Sequence, residues 1–297
     1  NVRLTTFGAE HNFRDINSYY DFNKNIPLRT YEQLFPYIEK TRKGERDILW
    51  PGKVKMFAKS SGTTNDRSKY IPISEESLKN CHFKGGRDML SLYCNNFTDT
   101  NIFNGKGLML GGSKESNTTF QFTDGDLSAL LIDNFPFWVN MHRVPDLETA
   151  LMKDWDKKLD KMCNQALNSN VTNITGVPSW MLVLFHRMIE KSGALNILEI
   201  WPNLELFMHG GVNFGPYINQ FERFIPSEKM NYLEGYNASE GFFGIQDQKD
   251  SKDLLLMLDY GIFYEFILLS EYNNGEMKAM PLADVKLNEV YVLVIST

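Results

Sequence analysis

A chain of 297 residues with 42% apolar and 23% charged side chains can build a sizeable core, and we expect one large domain of closely packed lobes over residues 1–297. Its net charge of −6 excludes a general nucleic-acid binder, since phosphate backbones select basic surfaces, but leaves room for a small basic nucleotide site. The apolar stretches Leu254–Leu258 and Val290–Ile295 are far short of a membrane span, and Cys81, Cys94 and Cys163 lack CxxC spacing; reduced thiols in a cytoplasmic protein with no membrane partner are expected.

In chain order, Val54–Ala58 reads as a strand, a polar loop follows, and Tyr70–Ile73 reads as a second short strand. Ser74 is an N-cap, with Glu75 and Glu76 in the first turn of a helix reaching about Asn95. Leu108–Leu110 is a strand ending in Gly111-Gly112. Pro145 starts a long amphipathic helix with the apolar stripe Leu147, Leu151, Trp155, Leu159, Met162 and Leu167. Val171–Thr175 is a strand, and Pro178 opens a helix over Trp180–Lys191 that Gly193 closes.

Further along, Leu204–Met208 reads as a strand delivering His209-Gly210-Gly211 to a turn, and Pro216 begins a short helix to about Phe224. Asn231–Tyr236 and Gly241–Gln246 are strands flanking Asn237-Ala238-Ser239-Glu240. Leu254–Leu258 and Ile262–Leu269 read as a hairpin around Asp259-Tyr260-Gly261, and the last residues, from Val290 on, as a core strand. A buried strand normally leads into a turn, and the chain opens on Asn1 instead of Met, so we expect a piece of a longer protein. The alternation of helical and strand periodicity, without internal repeats, predicts an α/β layered fold with mixed sheets flanked by helices.

The segment Ser60-Ser61-Gly62-Thr63-Thr64-Asn65-Asp66-Arg67-Ser68-Lys69 gathers hydroxyls, a glycine and two cations directly after an apolar strand. Backbone N–H groups in a glycine-containing turn form an anion-binding concavity, hydroxyls add donors, and Arg67 and Lys69 add charge-assisted bonds, so this loop suits a triphosphate. Its spacing is not GxxxxGK[ST], and a strand follows it instead of a helix, so it is not a Walker loop. A solvated hairpin tip has the same composition.

Tyr236-Asn237-Ala238-Ser239-Glu240 puts an aromatic, a hydroxyl and a carboxylate between two strands. In extended chain Tyr236, Ala238 and Glu240 share a face. Tyr236 can stack on adenine, worth about 1–3 kcal/mol for such contacts; Ser239 can donate to a phosphate oxygen, and Glu240 can hold Mg²⁺, which takes one or two carboxylates plus phosphates and waters. A core tyrosine and a surface turn fit these residues equally. Gly210-Gly211, lacking Cβ atoms, let backbone lie flat against a base, although a plain turn needs glycine too.

Together these elements occur in the order used by the acyl-adenylate-forming (firefly-luciferase-like) superfamily. More narrowly, Phe57-Ala58-Lys59-Ser60-Ser61-Gly62-Thr63-Thr64 and Gly176-Val177-Pro178-Ser179-Trp180 resemble the auxin-responsive-promoter, or Gretchen Hagen type, acyl-acid amido synthetases. Thr6-Phe7-Gly8-Ala9-Glu10-His11-Asn12-Phe13 and Ile26-Pro27-Leu28-Arg29-Thr30-Tyr31 fit the same family, so the resemblance spans nearly the whole chain. It implies the large N-terminal domain of an adenylate-forming enzyme. It implies two half-reactions with ATP and Mg²⁺: a small carboxylic acid attacks the α-phosphorus to give acyl-AMP and pyrophosphate, then an amino acid amine displaces AMP to form an amide. In the matching positions, Ser60, Ser61, Thr63 and Thr64 would bind phosphates, Tyr236 adenine, and Ser239 and Glu240 the α-phosphate and Mg²⁺.

Two features of the family are missing. Its aromatic–Gly–Asp ribose motif is absent, because Asp259-Tyr260-Gly261 has the wrong order, and is expected beyond Thr297 together with the small C-terminal domain. For the acid, Trp180, Trp138 and Met141, with Phe135 and Phe137, are large apolar residues near predicted loops or helix starts, and they fit simple core as well. Transfer to a thiol such as coenzyme A, and nucleotide binding without catalysis, are the alternatives. The sequence carries no signature of oligomeric state.

Overall fold

The computed structural model describes residues 2–60, 68–249 and 251–297. Among the described residues the strands form three sheets, and the fold is a mixed α/β one. The largest has seven strands in the order Leu255–Leu256, Gly241–Ile245, Asn231–Ala238, Leu206–His209, Val171–Gly176, Lys106–Met109 and Arg143–Val144. A four-stranded sheet runs Lys69–Ile73, Met56–Ser60, Phe122–Gly125, Lys114–Asn117, and a three-stranded one runs Met280–Pro281, Phe263–Leu268, Tyr291–Ser296. The chain divides into two compact units: Asn1–Leu78 with Ser116–Asp124 and Leu258–Thr297, and Lys79–Glu115 with Gly125–Met257.

In the second unit the consecutive neighbours from Arg143–Val144 to Asn231–Ala238 all pair in parallel. Parallel strands need crossover connections. Two of these are the helices Trp155–Leu167 and Pro178–Ser192. Pro178 stands at the start of the latter, where its missing N–H costs nothing, and Gly193 ends it at φ 73°. The helices bury Leu159, Met162, Phe185 and Met188 with Ile174 and Phe207 of the sheet in one core. Each such side chain contributes roughly 1.5–3 kcal/mol of transfer free energy. Trp201, fully buried in this core, satisfies its indole N–H on the Ala166 carbonyl at 2.9 Å.

In the first unit the two strands expected at Val54–Ala58 and Tyr70–Ile73 run over Met56–Ser60 and Lys69–Ile73 and pair antiparallel, with Ser60 opposite Lys69. Lys69–Ile73 is an edge strand, which accommodates Pro72 without losing a ladder bond. Ser74 caps the following helix through a 3.0 Å bond from the Ser77 N–H.

Three expectations are corrected. The long helix from Pro145 is two helices, Leu147–Ala150 and Trp155–Leu167, because Asp146 and Asp154 each cap a new start by accepting from the N–H three residues on. Leu255–Leu256 and Phe263–Leu268 are not a hairpin: the first pairs with Gly241–Ile245 and the second with Tyr291–Ser296. Nor is Tyr291–Ser296 a core strand, since none of its residues is fully buried and Leu293 is exposed.

Candidate functional site

Parallel pairing puts the C-terminal ends of five strands on one edge of the seven-stranded sheet, the edge where open α/β sheets bind ligands. Gly111-Gly112, Val177-Pro178 and Gly210-Gly211 all leave the sheet there. Asn231–Ala238 runs on past its last partner position, where Glu234 faces His209, and pairs beyond that point with Gly241–Ile245. The tip of this hairpin is Ser239-Glu240, since Ala238 is opposite Gly241. Glu240 therefore leaves the strand alternation, and the shared face expected for Tyr236, Ala238 and Glu240 holds only for the first two.

Tyr236 is half exposed, with its ring 5.0 Å from that of Phe243. The register slips between Phe242 and Gly244, a bulge of the kind that re-aims side chains near functional sites. Among the described residues Glu240 has neither an ion pair nor a hydrogen bond, so its carboxylate is free to act as an oxygen ligand. One such carboxylate fits Mg²⁺, which is otherwise content with phosphates and waters.

Each glycine of the 210–211 pair has its own physical reason. A Cβ on Gly210 would lie 2.2 Å from the Gly235 carbonyl oxygen, and Gly211 has φ +81°. His209, just before them, is buried and stacks on Phe214 with centroids 4.2 Å apart. Desolvation pushes its pKa from 6.5 down to about 4, so the ring is neutral at pH 7, and its Nδ1 has no hydrogen-bond partner among the described residues.

On the same side Lys158 is buried beneath the Gly111-Gly112 turn and donates to both carbonyls, at 2.5 and 2.7 Å. Burial lowers its pKa to about 8, with Asp126 acting against that shift. Lys158 borders a cavity of about 200 Å³ lined also by Ser113, Asp126, Met152, Trp155 and Trp180. The two indoles meet edge to face at 5.2 Å. Trp138 and Met141 do not line it: both sit on the short helix Phe137–Met141 and are mostly exposed.

In the first unit Ser60 ends its strand, and the Lys69 ammonium lies 5.4 Å from the centre of the Tyr31 ring. Ser61, Gly62, Thr63, Thr64 and Arg67 lie outside the described residues. Lys158, and the buried His82 whose Nδ1 meets Asn237 Oδ1 at 2.9 Å, are not among the site residues expected from the sequence. For Lys158 a signal exists: it shares the apolar stripe of Trp155, Leu159 and Met162, where a cation is out of place. The burial of His82 by a distant strand has no local signature.

Comparison with known proteins adds the following. The GH3 family N-terminal domain matches residues 1–230, and the GH3 family central domain matches residues 255–297. Jasmonoyl-L-amino acid synthetase JAR4 of Nicotiana attenuata is 22% identical across 93% of this chain and 58% of its own length. Indole-3-acetic acid-amido synthetase GH3.15 of Arabidopsis thaliana is 35% identical over 60 residues, 20% of this chain and 10% of its own. The chain thus spans little more than half of the first of these relatives. Among solved structures, the GH3.15 acyl acid amido synthetase superposes with a TM-score of 0.75 at 15% identity, covering 100% of this chain and 60% of that one. A 2-hydroxyisobutyryl-CoA ligase reaches 0.51 at 12% identity, covering 94% and 59%, a likeness of fold.

Proposed function

The chain belongs to the GH3 family, within the acyl-adenylate-forming superfamily, and from that premise we propose that it is the large adenylating part of an ATP- and Mg²⁺-dependent acyl-acid amido synthetase. The observation that carries this reading is the single sheet edge shared by Gly111-Gly112, Val177-Pro178, His209-Gly210-Gly211 and the hairpin tip Ser239-Glu240.

In the first half-reaction a carboxylate oxygen of the acid bonds to the α-phosphorus of ATP and pyrophosphate leaves. In the second, the amine of an amino acid bonds to the acyl carbon, AMP leaves, and the amine gives up a proton. Such transfers need positioning and charge neutralisation more than a protein nucleophile. Ser60, Ser61, Gly62, Thr63 and Thr64, with Arg67 and Lys69, would hold the phosphates, Tyr236 the adenine, and Gly210-Gly211 the face of the base. Ser239 would donate to the α-phosphate. Glu240 would hold Mg²⁺, which supplies neutralisation of phosphate charge when bound. The Trp155–Trp180 cavity is the subsite for the acid, with Trp180 on its wall; Trp138 and Met141, outside it, would serve only at its approach. The JAR4 and GH3.15 relatives, named for amino acid conjugation, support the amine as acceptor.

The test is ATP–pyrophosphate exchange with a panel of carboxylic acids, run on this chain and on the complete gene product. Acid-dependent exchange followed by AMP release with amino acids is expected. Release driven by coenzyme A in place of amino acids would overturn the acceptor, and ATP binding without exchange across the panel would overturn catalysis.

A further inference from the structure

The helix that begins at Ser74 is interrupted by a π-helical turn, Leu78–Phe83, before it continues as Lys84–Asn96. Single π turns inside α-helices are rare and concentrate at functional sites. Two adjacent side chains of this turn reach the two strands of the Ser239-Glu240 hairpin. His82 Nδ1 is 2.9 Å from Asn237 Oδ1. The Phe242 N–H donates to Cys81 Sγ at 3.1 Å. Asn237 and Phe242 are cross-strand partners, one step from the tip.

The neighbouring strand Leu255–Leu256 is in register with Gly244 and Ile245, and at Phe242 the N–H goes to the thiol. Close packing holds the helix against the hairpin. A Cβ on Gly85 would fall 2.5 Å from the Phe242 ring, and one on Gly235 would meet the Met89 sulfur at 3.2 Å. His82 itself is 2% exposed. With Nδ1–H donating to the Asn237 oxygen, Nε2 is the unprotonated nitrogen, and it is buried without a partner among the described residues. Desolvation holds the His82 pKa below its ordinary value, which keeps this donor tautomer neutral. An orphaned buried nitrogen is a cost that a purely structural contact does not require.

We propose that His82 is a positioning residue: through Asn237 it fixes the backbone from which Ser239 and Glu240 project, and so sets the metal- and phosphate-binding geometry of the adenylation site. This rests on the adenylation reading above for its consequence, but the clamp itself can be read without turnover.

The test uses three substitutions. The side-chain amide of His82→Asn places an N–H where Nδ1–H now lies, whereas His82→Gln places it at the Nε2 position and His82→Leu removes it. Hydrogen–deuterium exchange of the Tyr236–Phe243 amides should quicken in the Leu and Gln variants and stay at the wild-type rate in Asn. In ATP–pyrophosphate exchange by the complete gene product, Leu and Gln should raise the Mg²⁺ concentration for half-maximal rate and lower kcat by about 10–100-fold, the range seen when partners of metal ligands are removed. KM for the acid should stay within about twofold of wild type, and Asn should restore both parameters. Unchanged amide protection in His82→Leu overturns the clamp. Faster amide exchange with unaltered Mg²⁺ dependence and kcat reduces His82 to a structural contact and overturns the proposal. Wild-type protein that fails to exchange with any acid counts against adenylation alone, and the amide measurement then decides whether His82 holds the turn.

Discussion

The parallel strands of the second unit and the antiparallel strands of the first handle their polar side chains in opposite ways. In the parallel sheet Leu206–His209 is buried at every position, packed under helices as parallel strands must be. Its one polar side chain, His209, stands at the strand end, and Gly210-Gly211 and Ser239-Glu240 lie along the same edge. In the antiparallel sheet Tyr291–Ser296 is only partly covered, and its neighbour Phe263–Leu268 carries a buried acid, Glu265, in mid-strand. That acid is met on the spot, by the Tyr19 hydroxyl at 2.9 Å. The fully covered strand Leu206–His209 thus carries its polar group at the rim, whereas the partly covered sheet quenches one in mid-strand.

The sharpest way to break this contrast is at the rim. Glu240→Ala should lower ATP–pyrophosphate exchange by at least ~100-fold, as expected when a charge-positioning group is removed, with little change in thermal midpoint because the side chain is bonded to no described residue. Near wild-type exchange would remove Glu240 from the site.

Next in size is the acid sensitivity of the rim. With its pKa depressed to about 4, His209 binds fewer protons folded than unfolded between that value and 6.5. Stability from this group is therefore complete above pH 6.5 and declines as pH falls towards 4, by roughly 3 kcal/mol. Urea unfolding across this range should show the loss, and His209→Leu should flatten it; parallel pH profiles for the two proteins would refute the assignment.

Backbone approach comes third. Gly210→Ala forces a Cβ against the Gly235 carbonyl and should cost about 1–3 kcal/mol in denaturant melts. Gly52→Ala in the first unit has nothing within 4 Å and meets only its φ of +82°, a cost of about 1 kcal/mol. Equal losses would mean that the strands at Gly210 can part freely.

The smallest effect belongs to the quenched acid. Tyr19→Phe leaves Glu265 short of a charged hydrogen bond and should cost about 1–2 kcal/mol, read by thermal melting. Burial, and then hydrogen bonding to that carboxylate, push the tyrosine pKa up to about 12, so its contribution is present below pH 10 and fades as pH rises through 12. An unaltered melt in Tyr19→Phe would show that Glu265 finds its partner elsewhere.

Much of this architecture was legible where local chemistry decides. Pro178 and Gly193 bracket their helix, Ser74 caps its own, and the pair Met56–Ser60 with Lys69–Ile73 flanks the polar segment as its composition predicts. Local patterns failed where a partner lies far along the chain. Leu255–Leu256 looks ready to fold back on Phe263–Leu268, yet each finds a different strand, because period-two alternation specifies a face and not a neighbour. The break at Leu151–Asp154 has another reason: the apolar stripe continues across it, while Asp154, off that stripe, is the cap that restarts the helix. Within the candidate site, Ser239, Glu240 and the glycine pair could be picked out from residue type, but the hold of His82 on Asn237, 155 positions away, could not.

The grip of Lys158 on the Gly111 and Gly112 carbonyls has a practical corollary. At 1% exposure its amine is sealed from solvent, whereas Lys157 and Lys161 of the same helix are open to it. An amine-reactive label can reach Lys158 only when the glycine turn lets go. The ratio of its labelling to that of its two neighbours is then a built-in clock for how often this end of the parallel sheet breathes.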